Sequence, residues 1–261
     1  MTTGAAPRCT EEYVEVAGER VHLLRGGTGE PLLVLHHDTG NPGWLPCYEE
    51  LARRFSVYVP SHPGWGQSSR PEWMRSVRDV AIVYQWLLAD LELQGVSLLG
   101  LGFGGWIAAE MATMAPRAFQ RLVLVGAMGL KASDGEILDQ ALLSYIDYAR
   151  VGFHDQRMFD QVFGAEPPTG QLEAWDIARE MAFRIAWKPY MYSQTLPHLL
   201  GGVRTPALVV WGREDRVVPL ACGEQYAGAL RNARLEVLED CGHCVEMEQP
   251  AKLARLVGEL R

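Results

Sequence analysis

Apolar and polar positions along the chain alternate between two periodicities. Short, almost uninterrupted apolar runs occur at Leu32–His36, Val57–Pro60, Val96–Gly100, Leu122–Val125, Ala207–Trp211 and Leu235–Leu238. Runs of this length with no polar face suit strands buried on both sides of a parallel sheet. Ahead of them, Tyr13–Val16 and Val21–Arg25 flank Ala17-Gly18-Glu19 and predict a hairpin. Between the runs the spacing changes to that of helices. Val77, Val80, Ala81, Tyr84, Leu88 and Leu91 recur at intervals of three and four, as do Leu253, Leu256, Val257 and Leu260. Strand–helix alternation of this kind predicts right-handed βαβ units and a doubly wound sheet of about eight mostly parallel strands. Ligands of such sheets sit beyond the carboxyl ends of the strands, so the residues that follow each strand are the ones to read for chemistry.

One stretch breaks the alternation. From Gly129 to Gly202 no strand pattern is found, and the segment is rich in aromatic residues and Met. Amphipathic helices are predicted at Ile137–Arg150 and Gln171–Ala186, with breaks at Gly164–Gly170 and Trp187–Tyr190, where Pro167, Pro168 and Pro189 interrupt helical hydrogen bonding. The expected organisation is a core of residues 1–128 and 203–261 with a helical lid, 129–202, inserted between two of its strands.

Composition changes this picture little. The chain has 261 residues, 48% of them hydrophobic, and a net charge of −8. Nothing in it forms a basic stripe, which argues against nucleic acid and anionic membranes as partners. No run reaches the roughly 20 apolar residues of a membrane span, and MTTGAAPRCT lacks an apolar signal core, so a cytoplasmic location is expected. Five cysteines without such a signal read as free thiols. Cys241-Gly-His-Cys244 has redox spacing but follows the last strand, instead of opening a helix after an early one, so neither redox nor metal use is expected of it.

The strand Val96–Gly100 runs into Gly100-Leu101-Gly102-Phe103-Gly104-Gly105 and then the helical run Trp106–Ala115. A glycine-rich turn between strand and helix can cradle a dinucleotide phosphate, and Gly100, Gly102 and Gly105 fall at G-x-G-x-x-G spacing, but this turn follows a late strand and not the first. It resembles instead the G-x-S-x-G nucleophile elbow, with Gly102 where that motif has serine. Other segments agree. His36-His37-Asp38 resembles a His-Gly oxyanion loop in which His37 replaces glycine. His62-Pro63-Gly64-Trp65-Gly66-Gln67-Ser68 resembles a P-G-[FWY]-G-x-S loop, with Ser61 where aspartate is common. Trp211-Gly212-Arg213-Glu214-Asp215 resembles the segment that carries a triad acid, and Gly242-His243 through Glu248-Gln249-Pro250 the one that carries a triad histidine. In this order they are similar to the α/β-hydrolase fold superfamily, and the lid falls where many members carry a helical cap.

The resemblance implies His243 and Asp215 as a catalytic pair, Gly102 at the nucleophile position, and backbone amides of Phe103 and Asp38 as an oxyanion hole. His37, Tyr145, Arg184, Trp187 and Tyr190 are the expected pocket residues, with Lys188 and Tyr192 as further polar groups of the lid. His36 reads as a structural hydrogen-bonder of its loop, while Asp38 also suits a plain turn role and Asp215 that of N-cap to a helix over Val217–Leu230. Glycine has no nucleophile, so a covalent acyl-enzyme is not expected. Two chemistries stay open for His243 as a base: activation of water against a reactive carbonyl, or removal of a proton from the substrate, leading to lyase, isomerase or cofactor-free oxygenase chemistry. A third alternative is a catalytically dead pocket that binds a small ligand. The expected partner in every case is a small, apolar or aromatic molecule, with no cofactor and no metal ligands.

Overall fold

The computed structural model describes residues 9–260. Most of the N-terminal stretch read for a signal core, residues 1–8, lies outside them. A hairpin opens the fold: β1 (Thr10–Val16) pairs antiparallel with β2 (Glu19–Gly26), Thr10 opposite Arg25 and Val16 opposite Glu19. Its turn is the two residues Ala17 and Gly18, both at positive φ (56° and 77°), the geometry that matches the twist of the strands it joins. After β3 (Glu30–Leu35) come α1 (Pro46–Ala52), β4 (Phe55–Pro60), α2 (Val77–Asp90), β5 (Ser97–Leu101), α3 (Phe103–Met114) and β6 (Leu122–Val125). Next stand four helices, α4 (Tyr145–Val151), α5 (Gln156–Phe163), α6 (Thr169–Ala186) and α7 (Leu196–Leu199). The chain closes with β7 (Ala207–Gly212), α8 (Leu220–Ala229), β8 (Ala233–Leu238), α9 (Val245–Glu248) and α10 (Pro250–Glu259).

The eight strands form one sheet in the order β1-β2-β4-β3-β5-β6-β7-β8. β2 meets β4 antiparallel, and every pairing from β4 to β8 is parallel. This is an α/β-hydrolase fold. The continuous apolar runs are explained by cover on both faces. Every residue of β4, β5, β6 and β7 is buried, whereas the edge strand β8 is only half-buried and correspondingly more polar. One apolar cluster joins the sheet to α2 and α3, another to α1 and α10. No helix among the described residues is long and apolar enough to cross a membrane.

Two expected helices begin elsewhere. The pattern Ile137–Arg150 is not one helix: Asp139 caps a single 3-10 turn at Gln140–Leu142, Leu143 is extended, and Ser144 caps α4. Short side chains that accept from nearby backbone N–H groups divide the segment. The helix expected from Val217 starts at Leu220, because Asp215 takes the N–H groups of Val217 and Val218 and Pro219 follows. The periodicity did not show α1 and α5.

Candidate active site

The carboxyl ends of β3, β5, β7 and β8 bring four separate pieces of sequence to one point. β5 turns into α3 through Gly102, whose φ of 52° and ψ of −110° lie outside the ordinary allowed regions. The turn is tight on both sides: a Cβ on Gly100 would stand 2.4 Å from the Gly104 carbonyl oxygen, and one on Gly104 2.1 Å from that of Leu35. Glycine at 100 and 104 therefore permits the close approach of α3 to β3 and β5.

Asp215 follows β7. Its Oδ1 accepts from the Val217 and Val218 amides at 2.8 and 2.9 Å, and Oδ2 pairs with His243 Nδ1 at 2.8 Å. One carboxylate thus closes the turn after β7 with one oxygen and pairs with the histidine through the other; it does not cap α8, whose N-cap is Pro219. His243 follows β8 and is 3% exposed. Burial works against its charge, but the Asp215 charge and hydrogen bond, helped by Asp38 and Glu246, raise its pKa above the ordinary 6.5. With Nδ1 held by Asp215, Nε2 faces the elbow and has no partner among the described residues.

The structure brings a second histidine to the same point. His37 is 2% exposed, and its Nε2 bonds Glu246, a fully buried carboxylate on α9, at 3.1 and 3.2 Å. Its Nδ1 is also without a partner. The two rings lie 4.8 Å apart. A Cβ on Gly102 would stand 2.4 Å from His37 Nδ1 and 2.9 Å from His243 Nε2. His37 therefore fills the space into which a side chain at 102 would project. The result is two carboxylate–histidine pairs, Asp215–His243 and Glu246–His37, that present bare nitrogens towards one another across a glycine.

Asp38 completes the arrangement. Its buried carboxylate accepts from Tyr148 Oη at 2.7 Å and from Gln140 Nε2 at 3.1 Å, both from the helical segment between β6 and β7, the insertion in the chain order of the sheet. The backbone N–H groups of Asp38 and Phe103 donate to no protein group among the described residues. Glu248 ties the histidine loop to the insertion: Oε2 accepts from Gly242 N at 2.6 Å, and Oε1 from His154 N and Asp155 N at 2.9 and 2.8 Å. His36 is held within its loop, with Nδ1 on the His37 carbonyl at 2.7 Å and Nε2 accepting from His62 N at 2.9 Å.

The cavity beside these groups is lined by His37, Asp38, Thr39, Tyr148, Ala149, Gly152, Phe153, Phe163, Val217, His243, Cys244 and Met247. Its volume is about 20 Å³, space for roughly one water molecule. No Lys or Arg lines it. Of the expected pocket residues only His37 reaches it. Tyr145 points outward and donates to Asp176. Arg184 binds the Glu72 carbonyl at 2.5 Å, and Trp187 is half exposed beside Phe183. Tyr190 stands behind the cavity, where its hydroxyl accepts from Gln140 N and donates to the Leu138 carbonyl, both at 3.0 Å. Long polar and aromatic side chains on a helical insertion reach solvent as readily as they reach a cavity. Sequence reading missed Glu246, Tyr148 and Gln140. Of these only Glu246 left a signal, as an acidic residue in the segment that carries the histidine.

A model of the alpha/beta hydrolase family matches residues 32–256. The chain belongs to that family. Its relatives include a 2-hydroxymuconate semialdehyde hydrolase from Pseudomonas sp. strain CF600, 31% identical over 97% of this chain and 94% of that protein. They also include a 2-hydroxy-6-oxo-2,4-heptadienoate hydrolase from Pseudomonas putida, 27% identical over 94% of each chain. Among solved structures, a meta-cleavage product hydrolase from Pseudomonas fluorescens IP01 superposes with a TM-score of 0.80 at 23% identity, covering 95% of this chain and 96% of that one.

Proposed function

We propose that this member of the alpha/beta hydrolase family hydrolyses a bond next to a carbonyl group in a small, uncharged, apolar or aromatic compound, without a covalent intermediate. The observation that carries this reading is the buried His243 Nε2, backed by Asp215 and facing a residue that has no side chain. His243 takes a proton from water, the resulting hydroxide adds to the carbonyl carbon, and the Phe103 and Asp38 amides hold the oxyanion. Collapse breaks the bond, and His243 returns the proton to the leaving carbon or oxygen. The names of the relatives support C–C bond cleavage as the reaction type.

The substrate departs from theirs in charge. The dienoates named for those relatives are anions, whereas Asp38, Asp215 and Glu246 stand around the two imidazoles with no Lys or Arg in the lining. A carboxylate 5 Å from one of these groups meets a repulsion of about 3 kcal/mol at an effective dielectric constant near 20. A second reading, proton removal and return by the two opposed histidines, is favoured by the bare Nδ1 of His37 opposite Nε2 of His243.

The test is turnover of neutral aryl β-diketones and aryl ketone esters in ¹⁸O-labelled water. Hydrolysis places the label in the acid product, and His243→Ala lowers kcat/KM by about 10²- to 10⁴-fold. Trapping of an acyl-enzyme, or turnover indifferent to His243→Ala, would overturn the proposal. Exchange of substrate hydrogen for solvent deuterium without ¹⁸O incorporation would favour the second reading.

A further inference from the structure

We propose that His37, His243 and Asp38 form a binding site for one divalent transition-metal ion of the zinc class. The two nitrogens that face Gly102 are both buried and without a partner, and an unpaired polar atom at such depth calls for an occupant. One ligand atom from each of His37, Asp38 and His243 lies within 4.8 Å of the other two. A zinc ion needs nitrogens about 2.0–2.1 Å away and a carboxylate oxygen at a similar distance. Tetrahedral ligands of one ion are then roughly 3.4 Å apart, so no pair of the three has to close in by more than about 1.4 Å. The cavity beside them has the volume of a single water or ion.

The outer groups fit the same purpose. A histidine that binds a metal through one nitrogen is usually oriented by a carboxylate on the other. Here Asp215 holds Nδ1 of His243, which leaves Nε2 inward, and Glu246 holds Nε2 of His37, which leaves Nδ1 inward. Tyr148 and Gln140 fix Asp38. Glycine at 102 is part of the site, since a Cβ would stand 2.4 and 2.9 Å from the two nitrogens. The alternative trio His37, Cys244 and Glu246 already uses its His37–Glu246 contact as a hydrogen bond. An ion bound by His243 Nε2 takes the lone pair that proton transfer requires. Metal-bound and proton-accepting forms therefore exclude one another, and the inference stands whether or not the hydrolytic reading holds.

The test is titration of the chelator-treated full chain with Zn²⁺ and Co²⁺, followed by calorimetry and elemental analysis after dialysis, so that failure of hydrolysis does not bear on the result. One equivalent should bind. His243→Ala and His37→Gln should each weaken binding about 100-fold or more, while Cys244→Ala leaves it unchanged. His37→Gln keeps a donor for Glu246, and circular dichroism checks that each variant is folded. The unaltered protein gives an independent readout: Co²⁺ should shift the ring resonances of two buried histidines whose outer N–H groups are slow to exchange. No binding at high micromolar metal, retained affinity in both histidine variants, or paramagnetic shifts confined to the surface residue His198 would each overturn the site.

Discussion

The claim that His37 fills the space of a missing side chain can be tested by stability alone. In Gly102→Ala the new methyl group meets two separate penalties. The backbone at φ 52° and ψ −110° is one that L-residues rarely adopt, which costs about 1–3 kcal/mol. The Cβ also stands 2.4 Å from His37 Nδ1 and 3.2 Å from its Cε1, and such overpacking adds about 1–3 kcal/mol. The ring has little freedom to retreat, because Glu246 holds its other edge. The single variant should therefore lose about 2–6 kcal/mol. In a His37→Ala background the His37 part of the second penalty disappears, while the 2.9 Å approach to His243 Nε2 and the first penalty stay. His37→Ala itself costs roughly 1–3 kcal/mol, because buried Glu246 loses its histidine donor. The assay is a double-mutant cycle by urea denaturation, followed through tryptophan fluorescence. A coupling of at least about 1 kcal/mol is expected, with Gly102→Ala cheaper when His37 is absent. Equal costs in both backgrounds, within about 0.5 kcal/mol, would refute the steric argument.

Two further outcomes follow from buried polar groups. Burial lowers the pKa of His36 to about 3 and that of His62 well below 6.5. Both stay neutral in the native state while the unfolded chain gains protons, so stability falls as pH drops below 6.5, and His36 contributes about 2 kcal/mol of the loss by pH 5. The raised pKa of His243 acts in the opposite direction, its contribution being complete below 6.5 and lost as pH rises through the folded value. In His36→Gln the loss between pH 7.5 and 5, measured by urea midpoints, should shrink by about 2 kcal/mol; an unchanged slope would contradict the assignment. Tyr148→Phe leaves buried Asp38 without its 2.7 Å donor and should cost about 1–3 kcal/mol. Tyr145→Phe, the internal control, removes a hydroxyl whose bond to Asp176 is exposed and should stay within about 0.5 kcal/mol, and equal effects of the two would remove Tyr148 from the site.

The strands were legible because burial on both faces leaves an uninterrupted apolar run, and β4 to β7 are buried throughout. β8 was read two residues short because it is an edge strand, with polar residues among its apolar ones. Motif spacing located Gly102, Asp215 and His243, since each follows a strand at an offset set by tight local geometry. The insertion was less legible. Tyr148 and Tyr145 are three residues apart on α4, yet one turns to Asp38 and the other to the surface; composition could not choose between them. Glu246 left only a weak signal, an acidic residue in the histidine segment, and its role was hidden for a different reason. Its partner His37 is 209 positions away, and no local pattern records a pairing at that range.

Glu248 has a consequence for how anything enters. Its three hydrogen bonds fasten Gly242, His154 and Asp155 together, and Cys244 N adds a fourth tie to the Gly152 carbonyl at 2.9 Å. On the far side of the cavity the insertion is held to the core through Asp38, by the side chains of Tyr148 and Gln140. Passage of an aromatic molecule into a space of about 20 Å³ demands movement, and the two attachments resist it unequally. The Glu248 bonds are part-buried and within reach of water once broken, whereas the Tyr148 and Gln140 bonds to Asp38 are buried, and breaking them would leave polar groups unpaired in a dry interior. An entering molecule would therefore part the attachment at Gly152–Asp155 more readily than the one at Asp38. The residue that sequence places at the oxyanion position would then be the last anchor of the helical segment to yield.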